Sequence, residues 1–401
     1  MPDASAAVSV TRDQVAAFRL GRHHLAHRAP KETLVSVVRD MAGAQAQLLS
    51  AAQLALGART VDLTVAEVDG AIAERRVVKV GCMRRTLYLV PSGLVAVFVR
   101  GTARRAEKEI RWVLRKGVPS DVVEAAIDAA LGALDEPLTR PELAERTCRT
   151  LGVRPRLVHG GGWGSRGKVA AVPVGALTYP VVELLHLAAA RGVVCYGEQQ
   201  NGEPTFVRAD AWIPEYEDVT PEEAETRLLR RYLEAFGPAR VSDFAAWTGV
   251  TQREARSIWA RTTDELATVE VEGSEGSVLG SSLEELLRAR VETPHVRLLP
   301  YFDSYLLGHR DRRHLVPDEH RQHVSRSQGW IAPVVLVDGR VAGVWKHARR
   351  RGRLEVEVTP LERLPRRVLS PIRAEADELR RFLGVEDVQV TIASGERKRR
   401  T

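Results

Sequence analysis

The chain has 401 residues, enough for about two to four domains. Hydrophobic residues make up 44% and charged residues 28%, ordinary values for a globular protein, and no apolar run reaches the roughly 18 residues that a membrane span needs. The balance is basic, 59 Lys+Arg against 52 Asp+Glu for a net charge of +7, which points to a polyanionic partner such as nucleic acid.

The opening stretch MPDASAAVSVTRDQ has neither the basic start nor the apolar core of a secretion signal. Residues 10–27 read as a helix with Thr11 as N-cap and Val15, Phe18 and Leu25 on its apolar stripe. Lys31 to Met41 reads as a second helix and Leu48 to Leu56 as a third, with Gly43 and Gln45-Ala46-Gln47 between them. Another helix is expected over 64–76. Val77 to Val80 and Arg85 to Val90 then read as strands. Helices followed by a hairpin make the order of a winged helix.

The order recurs. Residues 121–134, Leu138 to Leu151 and Tyr179 to Arg191 read as helices, and Val193–Tyr196 with Thr205–Val207 as a hairpin around Asn201-Gly202. The third copy is the clearest. Pro221 to Phe236 is helical, Val241 to Thr251 carries a helix, a Gly-containing turn and a new N-cap, and Arg253 to Arg261 is the second helix of a helix-turn-helix. Leu266–Val271 and Ser277–Leu279 flank a wing at Gly273–Gly276. Residues 296–392 differ: short strands, including Ala332–Leu336 and Val341–Trp345 around Asp338-Gly339, predict a small sheet-rich cap.

Several chemistries find no support. The three cysteines, Cys82, Cys148 and Cys195, are too far apart for a disulfide scaffold or a zinc knuckle and fit a reducing cytoplasm. Cys82 sits in an apolar strand context and reads as a structural thiol, and no GxSxG motif is present. Gly160–Gly164 lacks the spacing of a phosphate-cradling loop. His23 and His27 at i, i+4, and His320 with His323, lack the accompanying acids of a zinc site, so no metal and no cofactor is expected. Two basic runs stand out. Arg310, Arg312 and Arg313 follow the aromatic stretch from Tyr301 to Tyr305, and Lys346, Arg349 and Arg350 follow Trp345. Both suit phosphate contacts.

Four ordered blocks carry a family resemblance. Met41-Ala42-Gly43-Ala44-Gln45-Ala46-Gln47 resembles the "lQAQ" signature of the AlkZ/YcaQ-type DNA glycosylases. Met83 to Pro91 resembles that family's "MRGTLHLVP" strand, with Arg85 where glycine is usual. Leu299–Asp303 through Gly308–Arg312 resembles its "LPAFDxYLLGYRDR" block, and Gly329-Trp330-Ile331 through Trp345 its "GxIxPxxxVDGxxxGxW" block. The two glutamines match the QxQ subgroup rather than the QxD subgroup.

The resemblance implies an α+β fold, with tandem winged helices in a C-shaped array and a C-terminal β-rich domain. The element order divides it into winged helices over 1–115, 116–218 and 219–293 and a β-rich domain over 294–401. It implies a monofunctional glycosylase acting as a monomer on double-stranded DNA that carries alkylated purines, in the cytoplasm at the nucleoid. It further implies bulky adducts or interstrand crosslinks as substrates and, in some members, self-resistance to a DNA-alkylating natural product. Gln45 and Gln47 are the expected catalytic pair. Arg84, Arg85, Arg310, Arg312, Arg313, Lys346, Arg349 and Arg350 are the expected DNA contacts, and Tyr301, Asp303 and Trp330 the candidate lesion contacts. The alternative is a non-catalytic winged-helix transcriptional regulator, which would dimerise over a palindrome.

The chemistry of the glutamines can be argued directly. A neutral amide does not transfer protons, but it can hold a water and lend a carbonyl dipole to an oxocarbenium-like state. That suffices only when the base leaves easily. N7- and N3-alkylpurines carry a positive charge that departure neutralises. An i, i+2 pair does not share a face of a regular helix, so the glutamines are expected at a helix start or in an irregular segment after Gly43.

Overall fold

The computed structural model describes residues 7–159, 167–189, 191–326 and 329–393. The Gly160–Gly164 run lies outside them. Helices and sheets are mixed throughout, as an α+β fold requires. The contacts group the chain into two compact units, both discontinuous. One comprises 1–71, 229–247 and 251–401, the other 72–228 and 248–250. The division at 115, 218 and 293 follows the order of the elements and coincides with none of these boundaries.

In the first unit the first described element is a strand, Val8–Val10, so Val10 belongs to it and not to the expected helix. Helix Arg12–Arg22 follows, capped by the expected Thr11, whose side chain accepts from the Gln14 amide while Gln14 reaches back. It stops five residues before His27, because His24 turns left-handed at φ 52°. His23 and His27 are therefore not on one helix face. His23 is fully buried, its Nε2 3.1 Å from the Ala235 carbonyl, and burial pushes its imidazole well below the ordinary value. Val8–Val10 pairs in parallel with Val269–Val271 and extends the wing of the third copy. That wing is the hairpin Leu266–Val271/Ser274–Leu279, turning through the left-handed Glu272 and Gly273, so its second strand begins three residues before the expected one. Helices Val241–Thr248 and Gln252–Ala260, the latter opened by a Thr251/Glu254 capping box, supply the helix-turn-helix.

The C-terminal part of this unit is a five-stranded sheet in the order Val296–Leu299, Val334–Val337, Arg340–Arg350, Arg353–Pro360 and Asp387–Ile392. Asp338 and Gly339 make the expected tight turn, both at positive φ. The 17-residue helix Arg366–Phe382, absent from the sequence reading, covers the sheet with Val368, Ile372 and Ala376 buried. Pro371, the sixth residue of this helix, lies beyond the first turn, so it cannot donate the intrahelical hydrogen bond to the Arg367 carbonyl.

The second unit holds the middle copy complete. Helices Ser120–Gly132, Arg140–Thr150 and Val181–Ala188 share one apolar core with Val172, Tyr179 and Phe206. Its strands run in the order Leu87–Pro91, Val77–Gly81, Val194–Tyr196, Thr205–Arg208 and Leu138–Thr139. Asn201 and Gly202 turn the wing at positive φ, as expected. A three-stranded sheet, Arg156–His159, Lys168–Val174 and Leu177–Pro180, is inserted between the second and third helices and was not expected. The third helix accordingly starts at Val181 rather than at Tyr179. All three cysteines are buried and unpaired, and burial pushes the Cys82 thiol up to about 12, which removes it as a nucleophile.

Candidate active site around the two glutamines

Helix Leu34–Asp40 ends because two consecutive residues, Ala42 and Gly43, turn left-handed at φ 53° and 84°. Glycine takes that conformation freely, whereas for alanine it costs about 1 kcal/mol. The reversal releases the chain as a two-residue extended segment, Ala44–Gln45, followed by a bend at Gln47 and helix Leu49–Gly57. The glutamines thus lie in an irregular stretch between two helices, as their spacing required.

Gln45 is 6% exposed, flanked by the fully buried Ala44 and Ala46. Its Oε1 is buried and, among the described residues, accepts no hydrogen bond. An unmatched buried carbonyl costs about 1–3 kcal/mol, so the site holds a desolvated acceptor at the expense of stability. Gln47 is half-buried.

The loop is anchored from the Asp303 block. Ser304 Oγ donates to the Gly43 carbonyl at 2.8 Å. Asp303 caps the short helix Ser304–Leu307 and grips Arg59 bidentately at 2.6 and 2.8 Å, both side chains being fully buried. This corrects the expectation for Asp303. With both oxygens committed to a guanidinium, it is a scaffold beneath the loop and not a lesion contact. Asp40, five residues before Gln45, is also engaged, by His24 at 2.9 Å and Arg39 at 2.8 Å. Burial pushes its carboxyl up, but these two hydrogen bonds outweigh burial and hold it below the usual value. Asp303→Asn leaves Arg59 buried without its counter-charge, and the expected loss of about 3–5 kcal/mol would appear as a lower denaturant midpoint.

Tyr301 and Trp330 fare differently from Asp303. Both are half-buried and stand edge-to-face at 5.5 Å. They pack against the same apolar cluster as Leu48, the residue following Gln47. The fold thus brings an aromatic pair and the glutamine loop onto one core.

The expected DNA contacts separate into engaged and open side chains. Arg313 is bound to Asp311 at 2.5 Å, Lys346 to Glu357 at 2.9 Å and Arg350 to Glu355 at 3.6 Å. The last two follow from register. Strand Arg340–Arg350 lies against Arg353–Pro360, setting Lys346 opposite Glu357 and Ala348 opposite Glu355. The dense basic run is therefore laddered by acids. Arg310 and Arg349 are exposed, and Arg312 is half-buried with Nη1 3.5 Å from Ser325 Oγ. In the second unit Arg84 and Arg85 are both left-handed, at φ 54° and 59°, and Arg85 is ion-paired to Glu109. Arg59 and Ser304 went unrecognised in the sequence. Nothing local marks Arg59, whose partner lies 244 positions away.

Among the described residues Glu319, His320 and Glu362 form a group close enough to share a cation. Glu362 is 76% exposed and His320 Nε2 already meets it at 3.2 Å, which describes a surface hydrogen bond. Among the described residues no helix is long and apolar enough to cross a membrane.

The family model described as "DNA glycosylase AlkZ-like" matches residues 38–382. A curated relative from Streptomyces sahachiroi, named "Interstrand DNA cross-link repair glycosylase", is 32% identical over 94% of this chain and 98% of its own. The solved structure of "Streptomyces sahachiroi DNA glycosylase AlkZ" superposes with a TM-score of 0.80 at 30% identity, covering 96% of this chain and all of that one. A likeness that spans the glutamine loop, the Asp303 block and the C-terminal sheet decides against a non-catalytic regulator: the chain belongs to the AlkZ-like DNA glycosylases and is a DNA glycosylase.

Proposed function

We propose that the enzyme hydrolyses the N-glycosidic bond of cationic N7- or N3-alkylated purines, including bulky adducts and interstrand crosslinks, with Gln45 and Gln47 holding the attacking water. The observation that carries this reading is the buried, unmatched Gln45 Oε1 in a loop whose neighbouring carboxylates are already committed. The C1′–N bond breaks with its electron pair passing to the base, which leaves neutral. The positive sugar faces amide carbonyl dipoles, and water adds at C1′ with loss of a proton to solvent. A preorganised dipole aimed at developing charge is the largest single contribution available to such a site. Water is the nucleophile here rather than an amine. Lys31, the lysine nearest the glutamines in sequence, is exposed and bound to Glu67 at 2.7 Å.

Tyr301 and Trp330 are the half-buried aromatic side chains that would meet the alkylated base, a use that aromatic rings serve through stacking. The relative's name, which specifies interstrand crosslinks, supports tolerance of bulk. The same tolerance would serve self-protection against a DNA-alkylating natural product. Incubation with duplex DNA containing N7-methylguanine, scoring free base and abasic sites, tests the reading. Release of the base with an intact backbone is expected, and strand cleavage by the enzyme itself would contradict a monofunctional mechanism. DNA affinity is expected to fall steeply with salt, the logarithmic slope being about 0.9 per phosphate contact. A flat affinity from low to physiological salt would remove the electrostatic account of binding.

A further inference from the structure

The densest basic runs in the sequence are partly neutralised by acids, so the open positive charge must be sought elsewhere. Helix Arg104–Arg115, in the second unit, carries it. Ala106, Ile110 and Val113 face the core of that unit. Arg105, Lys108, Trp112 and Lys116 recur at i+3 and i+4 and form one exposed stripe, with Arg111 and Arg115 beside it. Among the described residues Arg105, Lys108, Arg115 and Lys116 make no ion pair. Of the two acids of the helix, Glu107 lies off the stripe, 3.9 Å from Arg111, and Glu109, four residues after Arg105, borders the stripe with its carboxylate engaged by Arg85. Trp112 is 44% exposed at the centre of the stripe, with the Lys116 ammonium 5.4 Å above its ring.

The N-terminal end of the stripe joins a second cationic feature. Gly249 lies so close to Arg84 and Arg105 that a Cβ there would meet the Arg84 Cα and the Arg105 guanidinium, each at 3.3 Å. Burial, then the positive field of Arg85 and Arg105, holds His186 down to about 4. Like charges gathered on one face repel one another unless an anion lies across them. The spacing matters as well. One turn of helix advances 5.4 Å and the stripe covers three turns, so its cations form a track and not a point.

We propose that the Arg105–Lys116 face of this helix is a second DNA-binding surface, which grips the phosphate backbone of the duplex and takes no part in excision. Lys108, Arg115 and Lys116 neutralise phosphates, and Trp112 lies against the sugars. This rests on the glycosylase reading only in taking DNA as the polyanion, and its readout is binding of undamaged duplex. The triple variant Lys108→Ala/Arg115→Ala/Lys116→Ala changes exposed side chains without ion pairs and should fold. Its affinity for long undamaged duplex should fall at least tenfold at physiological salt, and the slope of log affinity against log salt should flatten by about 2 to 3. Trp112→Ala should weaken binding with the slope unchanged. Arg288→Ala, an exposed cation bound to Glu284, should change neither. Single-turnover excision of N7-methylguanine by saturating triple variant should match the parent enzyme. If the parent excises nothing, the substrate reading fails while the binding result stands. An unchanged slope in the triple variant overturns the proposal. So does a drop in saturated excision, which would put the helix at the lesion. So does lost binding to phosphatidylglycerol vesicles with DNA binding intact, which would assign the face to a membrane.

Discussion

Gln45→Ala and Gln47→Ala are each expected to lower single-turnover excision of N7-methylguanine by about 100- to 1,000-fold, the usual cost of losing one preorganised dipole at a reacting centre. Affinity for the same duplex should change little, because neither side chain carries charge to a phosphate. The two variants should differ in stability. Gln45 is 6% exposed and its Oε1 is unmatched, so alanine removes a buried polar group that contributes no internal hydrogen bond. Truncation there offsets a lost side-chain volume against a relieved desolvation cost, and the denaturant midpoint should move by about 1 kcal/mol or less. Gln47 is half-buried at the bend that leads into helix Leu49–Gly57. Equal losses of rate and affinity in either variant would make the pair a structural element of the loop and not the water-holding centre.

How far the sequence carried this site depends on the range of the interactions concerned. The Gln45–Gln47 spacing, the punctuating Gly43 and the Asp338-Gly339 and Asn201-Gly202 turns are local signals, and each sits where the sequence placed it. Two failures came from non-local pairing. Strand Val8–Val10 exists because a wing more than 250 residues away offers it a parallel edge. The inserted sheet at 156–180 forms a meander whose first strand is mostly exposed, so its apolar alternation is weak. The ion pairs that the sequence did not reveal have one physical origin. A run such as Arg310–Arg313 or Lys346–Arg350 counts cations along the chain, whereas the fold counts them across strands and turns. Glu355 and Glu357 arrive from the neighbouring strand, and Asp311 folds back on Arg313. In helix Arg104–Arg115 the reverse happens. Glu107 and Glu109 are interleaved with the cations in sequence, yet helical geometry turns Glu107 away from the stripe and Arg85 engages Glu109. Asp303 illustrates the same limit for a single residue: its motif was legible, but its partner Arg59 was not.

The substrate boundary follows from what surrounds the glutamines. Excision should proceed on N7- and N3-alkylated purines and fail on uracil, 8-oxoguanine and ethenoadenine in the same duplex. A neutral base needs a proton or a strong anionic push as it leaves. Two amides provide neither. Asp40, close in the chain, and Asp303, tied to the loop through Ser304, are both already engaged. Asp303 is fully buried against Arg59, with a third hydrogen bond accepted from the Tyr305 amide. Asp40 sits below its ordinary carboxyl range because His24 and Arg39 outweigh its burial, so it carries no proton to give near neutral pH. A cationic purine asks for less, since bond breaking removes its charge and the carbonyl dipoles stabilise the sugar cation left behind. Gln47→Glu is the informative variant. It keeps the length of the side chain, occupies a half-buried position and introduces the missing carboxylate. It should retain excision of N7-methylguanine, and any gain on neutral lesions should appear as the carboxylate ionises. Comparable turnover of uracil-containing DNA by the parent enzyme would sink the two-amide mechanism. Refusal of a bulky N7 adduct alongside excision of N7-methylguanine would leave that mechanism standing and remove only the tolerance of bulk, for which the half-buried pair Tyr301 and Trp330, on the same core as Leu48, is the candidate contact.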